Sequence, residues 1–293
     1  MKRRDFITLL GGAAAAWPLA AGAQQPTIGF IISSTLSAER ERITAFLQRL
    51  RELGWTEGRT IAIEYRWAEG SSDRAAELAA EFVRLKVAVI VTTSTPAVIA
   101  AKQATSIIPI VFPVSGDPIG TGLVASLARP GGNVTGLSLQ QRDLGGKRLE
   151  LLREALPGLR QLAIMADVGN PVNAAEMGEV RAAARTLGLE VVAAEIRRTE
   201  DIAPEFEALK GRVEALYVAA SPLVNANRIR INTWALAARL PTMHGSRENV
   251  EVGGMMSYGP NFPDLFRRAA DVVDKGRSQP TYRLSSRPNL TSS

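Results

Sequence analysis

Apolar positions along most of the chain follow one of two periods, and the periods take turns. Short apolar runs rich in β-branched residues, such as Thr27–Ile32 (TIGFII), predict strands. The stretches between them place apolar residues three or four apart, as in Ile43, Phe46, Leu47, Leu50 and Leu53, and predict amphipathic helices. Strands are expected at 60–67, 87–91, 108–114, 134–137, 161–166, 189–195, 213–220 and 253–258, with a short apolar step at 240–243. Helices are expected at 73–85, 95–106, 144–155, 173–187, 202–210, 224–239 and 261–275. The 60–67 segment alternates, with Ile61, Ile63, Tyr65 and Trp67 on one side and Glu64 and Arg66 on the other, which suits an edge strand with one wet face.

Strands that alternate with helices imply parallel sheets covered on both faces. The pattern runs once to about residue 138 and then begins again. The expected fold is therefore α/β, with two doubly wound lobes and a ligand cleft between them. The expected division is 24–137 for the first lobe, joined by 259–275, and 138–258 for the second.

The stretch 87–118 carries the clearest chemistry. Its first strand ends in Thr92, Thr93, Ser94 and Thr95, followed by Pro96, a residue suited to the first turn of a helix. Thr95 is the expected N-cap. Strand ends in a parallel sheet open on one crevice, and a helix N-terminus there favours an anion. A small carboxylate is placed at Ser94, Thr95 and the N–H of Ala97. Thr95 serves equally as a plain helix cap, and Asp117 in the next loop (Ser115-Gly116-Asp117-Pro118) as a plain turn residue; both readings stay open.

Charge and composition change the picture at the two ends. Residues 1–23 carry a basic start, an apolar middle and small residues at Ala21 and Ala23, which predicts an export signal cleaved after Ala23. Arg3-Arg4-Asp5-Phe6-Ile7 is similar to the twin-arginine export motif. The apolar part is broken by Gly11, Gly12 and Pro18 and is short for a membrane span. A periplasmic protein is expected. The chain has no cysteine, which excludes disulfides, thiol catalysis and a lipid-bearing cysteine. Of the formal charge of +6, the signal holds +2 and residues 276–293 hold +3, so 24–275 carries +1. A nearly neutral body gives no reason to expect nucleic-acid binding.

Several stretches, in order, carry a family likeness: RELGWTEGRTIAIEYRWAEG (51–70), the 87–118 unit, SLARPGGNVTGLS (126–138), GKRLELLREALPGL (146–159) and GGMMSYGPN (253–261). Together they resemble the substrate-binding proteins of ABC transporters, in the branch associated with tryptophan and tyrosine uptake. The resemblance covers about 26–275. It implies the type I periplasmic binding fold, with two Rossmann-like lobes, and a monomer without cofactor or catalysis. Such a protein hands a small polar solute, an amino acid or related carboxylate, to a membrane permease. It also implies ligand loops at Ser34, Ser94, Thr95, Ser115, Asp117, Asn170, Ser221 and Ser246, with Glu248 close by. Asp117 and Glu248 are the expected partners of an ammonium group. Ser221-Pro222 stands where relatives often carry an acidic residue or Asn.

After Lys275 the resemblance stops. GRSQPTYRLSSRPNLTSS has five Ser, three Arg and no periodicity, and reads as disordered. One expectation is that a frameshift replaced the native end and left a sheet without its closing strand; the other is a genuine, variable tail. Three remaining signals are set aside. Gly120–Ala125 fits GxGxxA but sits well after its strand, and reads as a helix start packed closely through glycine. His244 is the only histidine, without a metal set or a GxSxG elbow around it. An exported enzyme using Asp117 or Glu248 as base is the rival reading. Trp55 and Trp67 read as structural, with Trp67 within reach of the cleft.

Overall fold

A computed structural model of the chain describes residues 25–126, 129–139, 141–276 and 290–292. The expected export signal at 1–23 lies outside the described residues.

The first sheet has five parallel strands in the order β2-β1-β3-β4-β5. These are β1 (Thr27–Ile32), β2 (Ala62–Trp67), β3 (Val89–Thr92), β4 (Ile110–Ser115) and β5 (Val134–Ser138). Helices α1 (Leu36–Glu52), α2 (Ser72–Arg84) and α3 (Thr95–Ala104) connect them. β2 is the edge strand, and its alternation works as expected. Ile63, Tyr65 and Trp67 join the core around Phe30 and Phe46, while the Arg66 guanidinium lies over Phe82 on the other face. Pro113 sits inside β4 at a register irregularity between Phe112 and Ser115. Proline cannot donate to a ladder, so pairing lapses there.

The second sheet is ordered β11-β10-β9-β8-β6-β7 and is parallel except at β11. Its strands are β6 (Gln161–Asp167), β7 (Glu190–Ile196), β8 (Ala215–Val218), β9 (Thr242–His244), β10 (Met256–Pro260) and β11 (Leu290–Ser292). It is covered by α4 (Gln141–Ala155), α5 (Pro171–Thr186), α6 (Ile202–Leu209), α7 (Pro222–Ala226), α8 (Arg228–Ala237) and α9 (Arg247–Val250). The chain then returns to the first lobe. α10 (Phe262–Gly276) packs Leu265, Phe266, Ala269 and Ala270 against Phe30 and Phe46. Arg49 and Arg267 clamp α1 to α10 through Asp271 at 2.7 Å and Glu52 at 2.6 Å. Trp55 donates from its indole N–H to Asp274, the structural role expected of it.

Several expectations are corrected. The cap of α3 is Ser94, whose Oγ accepts the Ala97 N–H; Thr95 is already the first helical residue. The single helix expected at 224–239 is two, broken at Asn227, whose side chain bonds Thr199 and the Leu223 carbonyl. The Gly120–Ala125 segment is a turn and not a helix start, held by the Gly120 N–H donating to Asp117 Oδ1. Most of the tail expected to be disordered, 277–289 and 293, lies outside the described residues. Gly276 closes α10, and 290–292 pairs antiparallel with β10. The physical reason is the open backbone edge of β10, which offers unpaired N–H and C=O groups to any extended segment. Among the described residues, no helix is long and apolar enough to cross a membrane.

Candidate functional site

The carboxyl ends of both sheets face one another, and a cavity of about 70 Å³ lies between them. One water-sized sphere needs about 10–15 Å³ by the same measure, so several non-hydrogen atoms fit. The first lobe contributes the loops after β1, β3 and β4 and the start of α1. The second contributes the starts of α5, α7 and α9.

Hydroxyls of the first lobe are tied to one another. Ser33 N–H donates to Thr93 Oγ1 at 3.0 Å, and Ser33 Oγ lies 2.8 Å from Ser94 Oγ. Thr95 Oγ1 lies 2.9 Å from Ser115 Oγ and accepts the Gly116 N–H at 3.1 Å. In the second lobe, side chains at three strand ends line the cavity at the mouths of helices. Asn170 Oδ1 accepts the Val172 N–H, Ser221 Oγ accepts the Val224 N–H, and Ser246 Oγ accepts from the Asn249 side-chain amide. Asn249 also lines the cavity, and its Oδ1 is buried without a partner.

Charge enters from α1. Glu39 and Arg42, 3% and 5% exposed, stand one turn apart and both line the cavity. Arg42 Nη1 is 3.2 Å from Glu39 Oε1, and its Nε and Nη2 each lie 2.9 Å from Glu248 Oε1 of the second lobe. Phe262 lies beneath the guanidinium, 4.1 Å from its carbon. Asn225 of α7 donates to Glu39 Oε1 at 3.1 Å, and Arg228 of α8 donates to the Ser37 carbonyl at 3.1 Å. These bonds cross from lobe to lobe, so the cleft is closed. Burial would depress the Arg42 pKa, but the two carboxylates overcome it and hold the group above its ordinary value. Burial likewise pushes the Glu248 carboxyl up, and Arg42 with nearby hydrogen-bond donors more than reverses this.

Six expected residues stand on the cavity wall: Ser94, Thr95, Ser115, Asn170, Ser221 and Ser246. Four do not. Ser34 points the other way, as neighbouring residues at a strand end do, and leaves Ser33 on the wall; the Ser34 hydroxyl is buried unpaired. The Ala97 N–H is taken by Ser94 and lies in an adjoining hollow beside Asp167. Asp117 holds the turn at Gly120 and stands off the wall. Glu248 sits behind Arg42 rather than on the cavity. Trp67 packs in the first-lobe core and does not line the cavity. Glu39, Arg42, Asn225 and Phe262 were not expected. Glu39 and Arg42 had a legible sign: they fall in phase with Ile43, Phe46 and Leu50 on the buried stripe of α1.

His244 is 1% exposed, and its Nε2 lies 3.0 Å from Asn232 Oδ1, with Nδ1 unpaired. Burial, helped by the Arg148 charge, pushes its pKa down to about 3. The partner of Nε2 is thus a side-chain amide. Among the described residues, no group of three or more His, Asp or Glu could hold a metal ion.

Comparison with known proteins gives a consistent picture. The sequence pattern of the ABC transporter substrate binding protein family matches residues 31–276. A tyrosine-binding protein of Clostridioides difficile (strain R20291) is 26% identical over 228 residues, which span 78% of this chain. They span 66% of the relative, slightly less than two thirds of its length. Among solved structures, an ABC domain from Streptococcus pneumonia in complex with L-Trp is 21% identical. It superposes with a TM-score of 0.81 over 91% of each chain. The ligand-free, open structure of a substrate binding protein with adhesive properties from Clostridium difficile is 23% identical. Its TM-score is 0.61 over 90% of this chain and 91% of that one.

Proposed function

Because the chain belongs to the ABC transporter substrate-binding proteins, we propose that it captures a small polar solute by lobe closure and delivers it to an ABC permease. The solute class is an amino acid or a related carboxylate. The observation that carries this reading is the cavity itself: it is walled by strand ends of both lobes and closed by bonds that cross between them. A site so built exists only when the lobes meet, so a ligand that fills it favours the closed state by its own binding energy. Polar groups at Ser94, Thr95, Ser115, Asn170, Ser221 and Ser246 would hold the polar atoms of the solute, with Val114, Leu139 and Phe262 against its apolar part. Export through the 1–23 signal fits this role, as does action as a monomer.

Thermal unfolding of residues 24–293 against a panel of amino acids and small carboxylates tests the reading. A ligand that binds only the folded protein at a hundredfold excess over its dissociation constant adds about 2.7 kcal/mol. A raised midpoint with one compound class is the expected result. A cooperative transition that no compound moves, together with turnover of any of them, would transfer the reading to an exported enzyme.

A further inference from the structure

Behind the cavity, the second lobe buries an ion pair that stands off the wall. Arg148 of α4 and Glu176 of α5, 2% and 0% exposed, meet at 2.7 Å between Nη1 and Oε1. Tyr217 of β8 donates its hydroxyl to the same Oε1 at 2.6 Å, and Arg148 Nε donates to the Tyr258 carbonyl of β10 at 2.7 Å. Neither Arg148 nor Glu176 lines the cavity. A buried pair of this kind is a poor source of stability, because desolvation offsets the attraction and apolar side chains of like volume do as well. What apolar side chains would not do is tie loops in place by directed bonds.

Three cavity loops hang on the pair. Asn173, one turn before Glu176, donates its side-chain amide to the Ala220 carbonyl at 3.0 Å and makes a longer contact of 3.5 Å with Glu176 Oε2. Ala220 immediately precedes Ser221. The Asn173 N–H donates to the Asn170 carbonyl at 3.0 Å. The guanidinium of Arg148 lies against Gly245: a Cβ there would be 3.1 Å from Nη2 and 3.3 Å from Cζ. Gly245 immediately precedes Ser246. Asn170, Ser221 and Ser246, the polar groups at the helix mouths of the second lobe, are thus all reached from the pair through Asn173 or Gly245.

We propose that Arg148 and Glu176 are positioning residues for solute binding: they fix the three second-lobe loops at the spacing the solute needs and make no contact with it. The effect on binding rests on the solute-binding reading; the placing of the loops does not. Arg148 also holds the Tyr258 carbonyl, two residues before β10 ends and the chain returns to the first lobe. The wall is thereby set relative to a crossover between the lobes. Loops already fixed spare the solute the cost of ordering them, so binding is tighter.

The triple variant Arg148→Met, Glu176→Leu, Tyr217→Phe removes the cluster together, so that no charge is left buried alone. Its urea midpoint should stay close to that of the parent. Hydrogen exchange of the ligand-free mature chain, read by mass spectrometry, should rise about tenfold at 170–173, 220–225 and 245–249, the size that one lost hydrogen bond warrants. The β6 core, 161–167, should exchange as in the parent. L-Tyrosine and L-tryptophan should bind the variant about tenfold more weakly in calorimetry. Parent-like exchange in the three loops overturns the proposal, as does parent-like affinity. An equal rise across 161–167 marks a merely structural role and overturns it too. A parent protein that binds neither amino acid counts against the solute reading, and exchange alone then decides the positioning. Should the triple variant not fold, Asn173→Ala takes its place, since it cuts the tie to Ala220 and leaves the ion pair. Exchange should then rise at 220–225 and not at 245–249, and unchanged exchange at 220–225 overturns the proposal.

Discussion

Arg42 of α1 reaches across the cleft and places two guanidinium nitrogens 2.9 Å from Glu248 Oε1. The pair is a charged link between the lobes, largely shielded from water. Removing one partner of a buried pair costs about 3–5 kcal/mol, because the other charge is left behind without water. Arg42→Met leaves both Glu39 and Glu248 in that position. The ligand-free variant should shift toward the open form and show a larger radius of gyration in solution scattering than the parent. Equal radii would show that the link does not hold the cleft.

Thr95 joins two loops of the first lobe. Its hydroxyl accepts the Gly116 N–H and bonds Ser115, all within buried surroundings. Thr95→Val keeps the shape and strips the acceptor, so the Gly116 N–H loses its partner at a cost of about 1–3 kcal/mol. Urea unfolding without ligand should show a lower midpoint and an unchanged slope. An unaltered midpoint would mean that water replaces the hydroxyl.

The buried His244 makes stability fall in acid. An unfolded histidine takes up its proton as the pH drops through about 6.5, whereas folded His244 resists until about 3. Its folded pKa is depressed, so its contribution is present above 6.5 and lost between 6.5 and 3, by up to about 1.4 kcal/mol per pH unit. His244→Gln should flatten the pH dependence of denaturant unfolding across that window relative to the parent. Parallel curves for the two proteins would assign the acid sensitivity to other groups.

Two glycines should respond in opposite directions to alanine. A Cβ on Gly259 would run into the Gly245 carbonyl, which immediately precedes Ser246 on the cavity wall. Gly259→Ala should cost about 1–3 kcal/mol by overpacking and weaken ligand binding as well. Gly146, inside α4, has nothing near its would-be Cβ, and Gly146→Ala should gain about 0.5–1 kcal/mol. Thermal unfolding of the two variants side by side checks the sign of each.

Alternating periods made the layer order readable, because a parallel sheet buried on both faces must appear as apolar runs spaced by helices. The edge placement of β2 was visible in Glu64 and Arg66 for the same reason. Strand-end loops were readable too, since topology brings them to one crevice whatever their partners are. Partner choice was not. Asp117 and Glu248 looked alike as acidic loop residues, and only tertiary structure separates a carboxylate spent on the Gly120 N–H from one spent on Arg42. The cap of α3 shifted by one residue because Ser94 and Thr95 both carry hydroxyls, and only the Ser94 backbone is extended. The pairing of 290–292 was not readable, since it depends on the open edge of β10, a property of distant sequence.

The bond from Arg228 to the Ser37 carbonyl brings two exposed side chains, Leu36 and Ile229, to opposite lips of the cleft. Each lies next to one end of that bond, so the separation between them is a ruler for opening. The sequence contains no cysteine, so Leu36→Cys with Ile229→Cys would introduce the only thiols. Dyes on this pair would change their energy transfer as solute is taken up. Dyes on exposed Gln48 and Lys275, carried by α1 and α10 and clamped together by Arg49 and Arg267, would not. The same scaffold thus supplies both the gauge and its fixed reference, and with them a fluorescent sensor for whatever it captures.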